Sequence, residues 1–171
     1  MKQLWRALYC AGLSLAAVSC SSDPTPATQL MVVVDSDVSG IDSVRVTVQG
    51  MDDGDKVAIA GDLTKQPLPR TVAVVHGGGK LGPITVVAQA YRGRFPVVTQ
   101  RARVSFVSKH NMMLRFDLDE ICLAKTCGSE DTCDSETGEC VDSAVPEDEL
   151  RDWPGMVPES DAGTLVAGRG G

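Results

Sequence analysis

The residues best suited to chemistry in this chain of 171 are its cysteines. Four of the six fall close together, as Cys122-x4-Cys127-x5-Cys133-x6-Cys140. The segments between them, LAKT, GSEDT and DSETGE, are polar and build no apolar core. Thiols at this density either hold a metal or oxidise in pairs. Zinc takes thiolates, usually with a paired Cys-x2-Cys spacing, and that pairing is absent here. The pattern therefore reads as two disulfides, which four cysteines can connect in three ways.

Oxygen donors gather in Asp35-Ser-Asp37-Val-Ser39-Gly40-Ile-Asp42. The spacing resembles the start of an EF-hand calcium loop, which makes Asp35, Asp37, Ser39 and Asp42 candidate Ca2+ ligands. A twelfth-position glutamate should close such a loop, and Val46 stands there instead. The plainer reading is a turn, since Asp, Ser and Gly favour local hydrogen bonds and left-handed geometry. His76-Gly-Gly-Gly-Lys80 lacks the flanking residues of a phosphate-binding loop and reads as a surface turn. Nucleophilic catalysis lacks parts. There is no G-x-S-x-G elbow, the imidazoles are His76 and His110, and every Glu lies at or beyond Glu120. No catalytic residues and no enzymatic activity are expected.

The remaining cysteine of interest is Cys20. Lys2 and Arg6 precede an apolar run from Ala7 to Val18, the basic head and apolar body of an export signal. A helix needs ~20 apolar residues to span a bilayer, so this run is too short. It closes on Ala16-Ala17-Val18-Ser19-Cys20 and resembles the lipobox of bacterial lipoproteins. That resemblance implies cleavage before Cys20, residues 1–19 being a signal peptide, and a covalent lipid on the Cys20 sulfur. Two or more acyl chains would hold the protein to a membrane, whereas one binds only marginally. Ser21 and Ser22 follow, with no Asp of the inner-membrane retention type, which by the same analogy implies the outer membrane. The polar, proline-containing SSDPTPATQ completes a lipidated tether, residues 20–29, whose nine residues after the cysteine reach ~28 Å when extended.

From Leu30 the hydrophobicity alternates with period two, the strand signal. Leu30, Val32 and Val34 make one run, and Val44, Val46 and Val48 the next. Val57 with Ile59, Thr71–Val75, Ile84–Tyr91, Val97–Val107 and Met112–Asp119 follow, separated by turn-formers. About seven short strands with no helical period predict an all-β fold, an antiparallel immunoglobulin-like sandwich over residues 30–119. A disulfide knot is expected over 120–141 and an acidic, mostly disordered tail over 142–171, with Trp153 a candidate staple back onto the domain.

Charge sharpens this division. Residues 30–119 carry a formal +2 and residues 120–171 carry −10, counted from the sequence. Without a concentrated basic surface, nucleic acid is not an expected partner. Arg45, Arg101, Arg103 and Arg115 occupy outward strand positions, where a basic stripe would receive the acidic tail or an anionic polymer. Tyr91 and Trp153 are the plausible glycan platforms.

The whole arrangement resembles a group of surface lipoproteins of myxobacterial type. The shared features are the lipobox, a Pro/Thr tether, QLMVVVDSDV, SVRVTVQG, RARVSFV and MMLRFDLDEIC leading into spaced cysteines. The group has no assigned activity, so the resemblance implies export and architecture, and transfers no functional residue beyond Cys20. The expected protein is a lipid-anchored envelope module that binds or adheres without catalysis. Its partners would be the membrane, through the lipid, and an envelope protein or surface polymer. A calcium- or glycan-binding module and a purely structural lipoprotein are the alternatives.

Overall fold

The computed structural model describes residues 27–50, 56–60, 63 and 66–156. The alternating runs become β1 (Gln29–Asp35), β2 (Ser43–Gln49), β3 (Lys56–Ala60), β4 (Arg70–Val75), β5 (Ile84–Arg92), β6 (Phe95–Val104) and β7 (Asn111–Asp117). Three short strands follow them: β8 (Asp131–Cys133), β9 (Cys140–Asp142) and β10 (Arg151–Asp152). Two four-stranded sheets result, in the orders β10-β7-β1-β4 and β3-β2-β5-β6, and β8 and β9 form a separate hairpin.

The inward residues of both sheets meet in one core. Leu30, Val32, Val34, Val74, Leu114 and Phe116 face Val44, Val46, Ile84, Val86, Val98 and Val104. β-branched residues dominate because they suit a pleated, half-buried surface. Val33 and Met113 are also buried although they alternate with that set. The outer face of the first sheet is therefore not wholly wet. β6 ends at Val104, short of the apolar run that predicts it. There the Leu81–Gly82 backbone crosses it, and Phe106 N–H donates to Leu81 O (2.7 Å). Gly82 is required at that crossing, since its φ is +146° and a Cβ would stand 2.9 Å from the Ser105 Cα.

The expected all-antiparallel pairing is corrected at one place. β1 runs parallel to β7, in register from Gln29↔Asn111 to Asp35↔Asp117. The reason is parity. Strands that alternate up and down make the first and the seventh point the same way, and the sandwich sets those two side by side. β1 also pairs antiparallel with β4, so the first strand of the domain is interior to its sheet.

The C-terminal segment is a second correction. Residues 142–171 are expected to form a mostly disordered tail, yet Ser143 and Leu150 are buried. Arg151–Asp152 pairs with β7, and Trp153 N–H donates to Asn111 O (2.7 Å). Leu150 belongs to the main core, which outweighs the acidic character of its neighbours. The part of the tail beyond 156 lies outside the described residues. Leu150→Ala should cost about 2 kcal/mol or more, the range for an emptied leucine site, seen as a lower urea midpoint. An unchanged midpoint would show that 146–153 is not part of the cooperative unit.

Candidate functional site

Cys20, the expected signal peptide and most of the expected tether lie outside the described residues. The chain is first seen at Ala27, and Thr28 ties it to one end of the sandwich. Thr28 O accepts from His76 N–H and Thr28 Oγ1 from Lys109 N–H (2.8 Å). The bottom of this end has a shallow cavity of about 470 Å³ lined by Val107, His110, Met112, Glu147, Asp148 and Asp152. His110 Nδ1 lies 2.8 Å from Ser108 O, and His76 Nε2 lies 3.1 Å from Lys80 O within its glycine-rich turn. Among the described residues neither imidazole has a serine or cysteine side chain as a hydrogen-bond partner.

The four cysteines join as Cys122–Cys133 and Cys127–Cys140. The first pair is buried and continues the core. Around it, polar residues serve the backbone rather than a ligand. Asp134 Oδ1 accepts from the N–H groups of Glu136 and Thr137 and from the Thr137 hydroxyl, which shapes the β8–β9 turn. This knot and the residues after it dock on the edge of β6. Thr132 Oγ1 accepts Arg101 N–H (3.0 Å), Ser143 O accepts Arg103 N–H (2.7 Å), and Val145 N–H donates to Arg103 O (2.9 Å). A bare strand edge invites foreign pairing, and here the chain's own segment occupies it.

The arginines do not assemble into a stripe. Arg101 Nη1 donates to Gly128 O and Ser129 O, and Arg103 pairs with Glu130 at 3.1 Å and Asp142 at 3.9 Å. These two receive the acidic knot. Arg45 lies over the Tyr91 ring at 4.9 Å, so that ring is not an open platform. Arg115 belongs to the other sheet and bridges Asp35 (2.9 Å) and Asp117 (2.8 Å).

The Asp35–Asp42 segment is a turn whose side chains engage different partners. Asp35 Oδ1 accepts Ser36 N–H while its other oxygen takes Arg115. Asp37 accepts Glu120 N–H (2.8 Å), Ser39 Oγ reaches Glu120 Oε1 (3.5 Å), and Asp42 accepts Gly93 N–H (2.6 Å). The turn thus ties β1 to the exit of β7 and to the β5–β6 hairpin. Among the described residues no three His, Cys, Asp or Glu side chains converge as a metal set.

This end carries a surface that no pattern in the sequence marked. Ala124 N–H donates to Val97 O (2.8 Å), which sets the 3-10 turn Glu120–Cys122 and Leu123 beside the tip of the β5–β6 hairpin. Phe95 (76% exposed), Ile121 (51%) and Leu123 (41%) stand in solvent there. Ile121 lies against Gly138, where a Cβ would come within 2.8 Å of the Ile121 side chain. Asp37, Asp119 and Glu120 lie on the same end. The only sequence hint was apolar residues inside otherwise polar spacers.

Comparison of the chain with protein-family models, curated proteins and solved structures finds no match. No helix among the described residues is long and apolar enough to cross a membrane.

Electrostatics at this end is dominated by Asp119. Burial, then the nearby Asp37, Asp117 and Asp35, push its carboxyl from 3.8 to about 6, against the opposing pull of Arg115. The folded protein therefore holds this proton more tightly than the unfolded chain does. The contribution of Asp119 to stability should fall as pH rises from about 4 to about 6, because its folded carboxyl binds more proton than its unfolded one in that window. Asp119→Asn should melt higher than wild type above about pH 7 and match it near pH 4. Melting curves that differ by the same amount at every pH would reject this assignment.

Proposed function

We propose that this protein is a lipid-anchored lipoprotein of the cell envelope, held at the outer membrane, that presents a non-enzymatic β-sandwich for binding. Lipid on Cys20 supplies the membrane affinity, and the residues from Ser21 to Ala27 act as the spacer, since Thr28 and Gln29 already belong to the sandwich. The observation that carries the binding role is the placement of the exposed apolar trio. β1 leaves the tether at Gln29 and runs to Asp35, a length of ~20 Å for seven residues. Phe95, Ile121 and Leu123 lie at the end it runs toward, where Asp42 N–H meets Tyr91 O (3.0 Å). Val75, Leu81 and Met156 are exposed too, but Phe95, Ile121 and Leu123 are the ones at the end opposite the tether, which suits display away from a membrane.

Clustered exposed apolar side chains mark interaction surfaces more often than chance. With Asp37, Asp119 and Glu120 beside them, the fitting partner is a protein surface that combines apolar and basic groups. Catalysis plays no part in this reading, which rests on recognition alone.

Two measurements test it. Cys20→Ala should abolish labelling by radioactive palmitate and move the protein out of the detergent phase. A mutant that kept either property would remove the anchor from the proposal. A photo-crosslinking residue at Ile121 should give a discrete adduct in intact cells, lost when Phe95→Asp is added. The same probe at Thr47, on the sandwich side, should give none. Equal adducts from the two positions, or none from position 121, would remove the binding surface.

A further inference from the structure

The sandwich protects its edges unequally. β6 is covered by the knot and the Ser143–Val145 segment, and β7 by β10. β4 lies at the other edge of the first sheet, with β1 on one side and no partner among the described residues on the other. His76 N–H donates to Thr28 O (3.0 Å) on the β1 side. Alternate residues of an antiparallel strand point their N–H and C=O groups the same way. Arg70, Val72 and Val74 therefore serve β1, while Thr71, Ala73 and Val75 direct theirs outward.

Natural sheets usually blunt such an edge with a lysine, a proline or an inward charge. β4 opens on Arg70, directly after Pro69, but the five residues Thr71–Val75 read TVAVV and contain none of these. Ala73 is exposed and Val75 is 56% exposed. Beyond Val75 the strand ends in the open Gly77–Gly79 turn, where a methyl group added at Gly77 or Gly78 would meet nothing within 4 Å.

We infer that β4 is a self-pairing edge whose occupant is β4 of a second copy, joined antiparallel about a two-fold axis. The two-fold choice follows from the outward groups. With Ala73 opposite Ala73 of the second copy, Thr71 falls opposite Val75, and every outward N–H and C=O of both strands is used. Shifting the axis to Val72 or Val74 leaves some of them without a partner. A closed two-fold interface is self-complementary, so no other sequence is needed to fill it. The side chains fit as well. Small Ala73 sits at the axis, exposed Val75 gains a Thr71 neighbour, and Val72 lies across from Val74 on the core side. The paired sheet would run β10-β7-β1-β4 and back in reverse order. This inference does not depend on lipidation or on the apolar trio.

Cysteine cross-linking of the full chain in its own membrane tests the pairing and its register. Ala73→Cys should give a disulfide dimer on mild oxidation, since a hydrogen-bonded antiparallel pair has Cα atoms ~5.5 Å apart, within disulfide reach. Thr71→Cys or Val75→Cys alone should not, since each lies ~13 Å from its own copy. The two expressed together should cross-link. No dimer from Ala73→Cys, equal dimer from all three single variants, or capture of a different protein instead would overturn the inference. Ala73→Pro should cut cross-linked or native dimer by roughly tenfold or more, because it removes an outward N–H while sparing the β1 ladder. If that variant does not fold, Ala73→Lys serves, placing like charges face to face across the axis. A dimer that survived a folded variant of either kind would also overturn it.

Discussion

The structure depends on β1 being paired on both sides. Its inward residues Leu30, Val32 and Val34 are buried to within a per cent of completely, and its backbone is shared between β4 and β7. One neighbour comes from the middle of the chain and the other from the far end of the domain. The strand cannot settle until both are present, so the sandwich must close around it as a unit. Such long-range pairing is slow to form because loop closure comes before the contacts that reward it. The turn at Asp35–Asp42 follows from the same constraint. Its hydrogen bonds to Leu118, Glu120 and Gly93 hold the exits of β1, β7 and β5 together.

The C-terminal segment is best understood through what β6 and β7 lack. Both are outer strands of their sheets in the seven-strand sandwich, and both would otherwise present bare backbone. One continuous stretch covers them in turn, the knot on β6 and β10 on β7. The disulfides suit this role because the segment is too polar to fold on apolar burial alone. A cross-link closing a loop of this size is worth roughly 3 kcal/mol through the unfolded state. Cys122 and Cys133 add to that by extending the core. β6 is met by Thr132, by the backbone of Ala124, Ser143 and Val145, and by Glu130 and Asp142 on Arg103, so the contact is largely polar and residues 142–153 read as a solvated tail when only their charge is considered.

The strands themselves were legible because valine alternation is a local property. Val44, Val46 and Val48 declare their face without reference to anything else. Relations between strands were not legible. The outward positions of Arg45, Arg101, Arg103 and Arg115 follow from alternation, but Arg115 stands on the opposite sheet, and periodicity carries no sheet label. The parallel β1–β7 pair needed knowledge of which strands are neighbours. The disulfide pairing needed the fold of the hairpin that brings Cys133 and Cys140 alongside each other. Leu150 was one apolar residue among acids, too weak a signal to outvote its surroundings. The Asp, Ser and Gly of the Asp35–Asp42 segment suit a turn, and the backbone turns at Ser39–Gly40. Its carboxylates are spent on backbone donors and on Arg115.

The direction of β1 has a mechanical consequence. A pull on Gln29 against a load at the Phe95–Leu123 end runs along the strand axis. The ladder bonds to β4 and β7 lie across that axis. They would have to slide past one another together instead of opening singly from one end. A domain held by its first strand in this way is braced against drag in the direction in which the tether would be stretched.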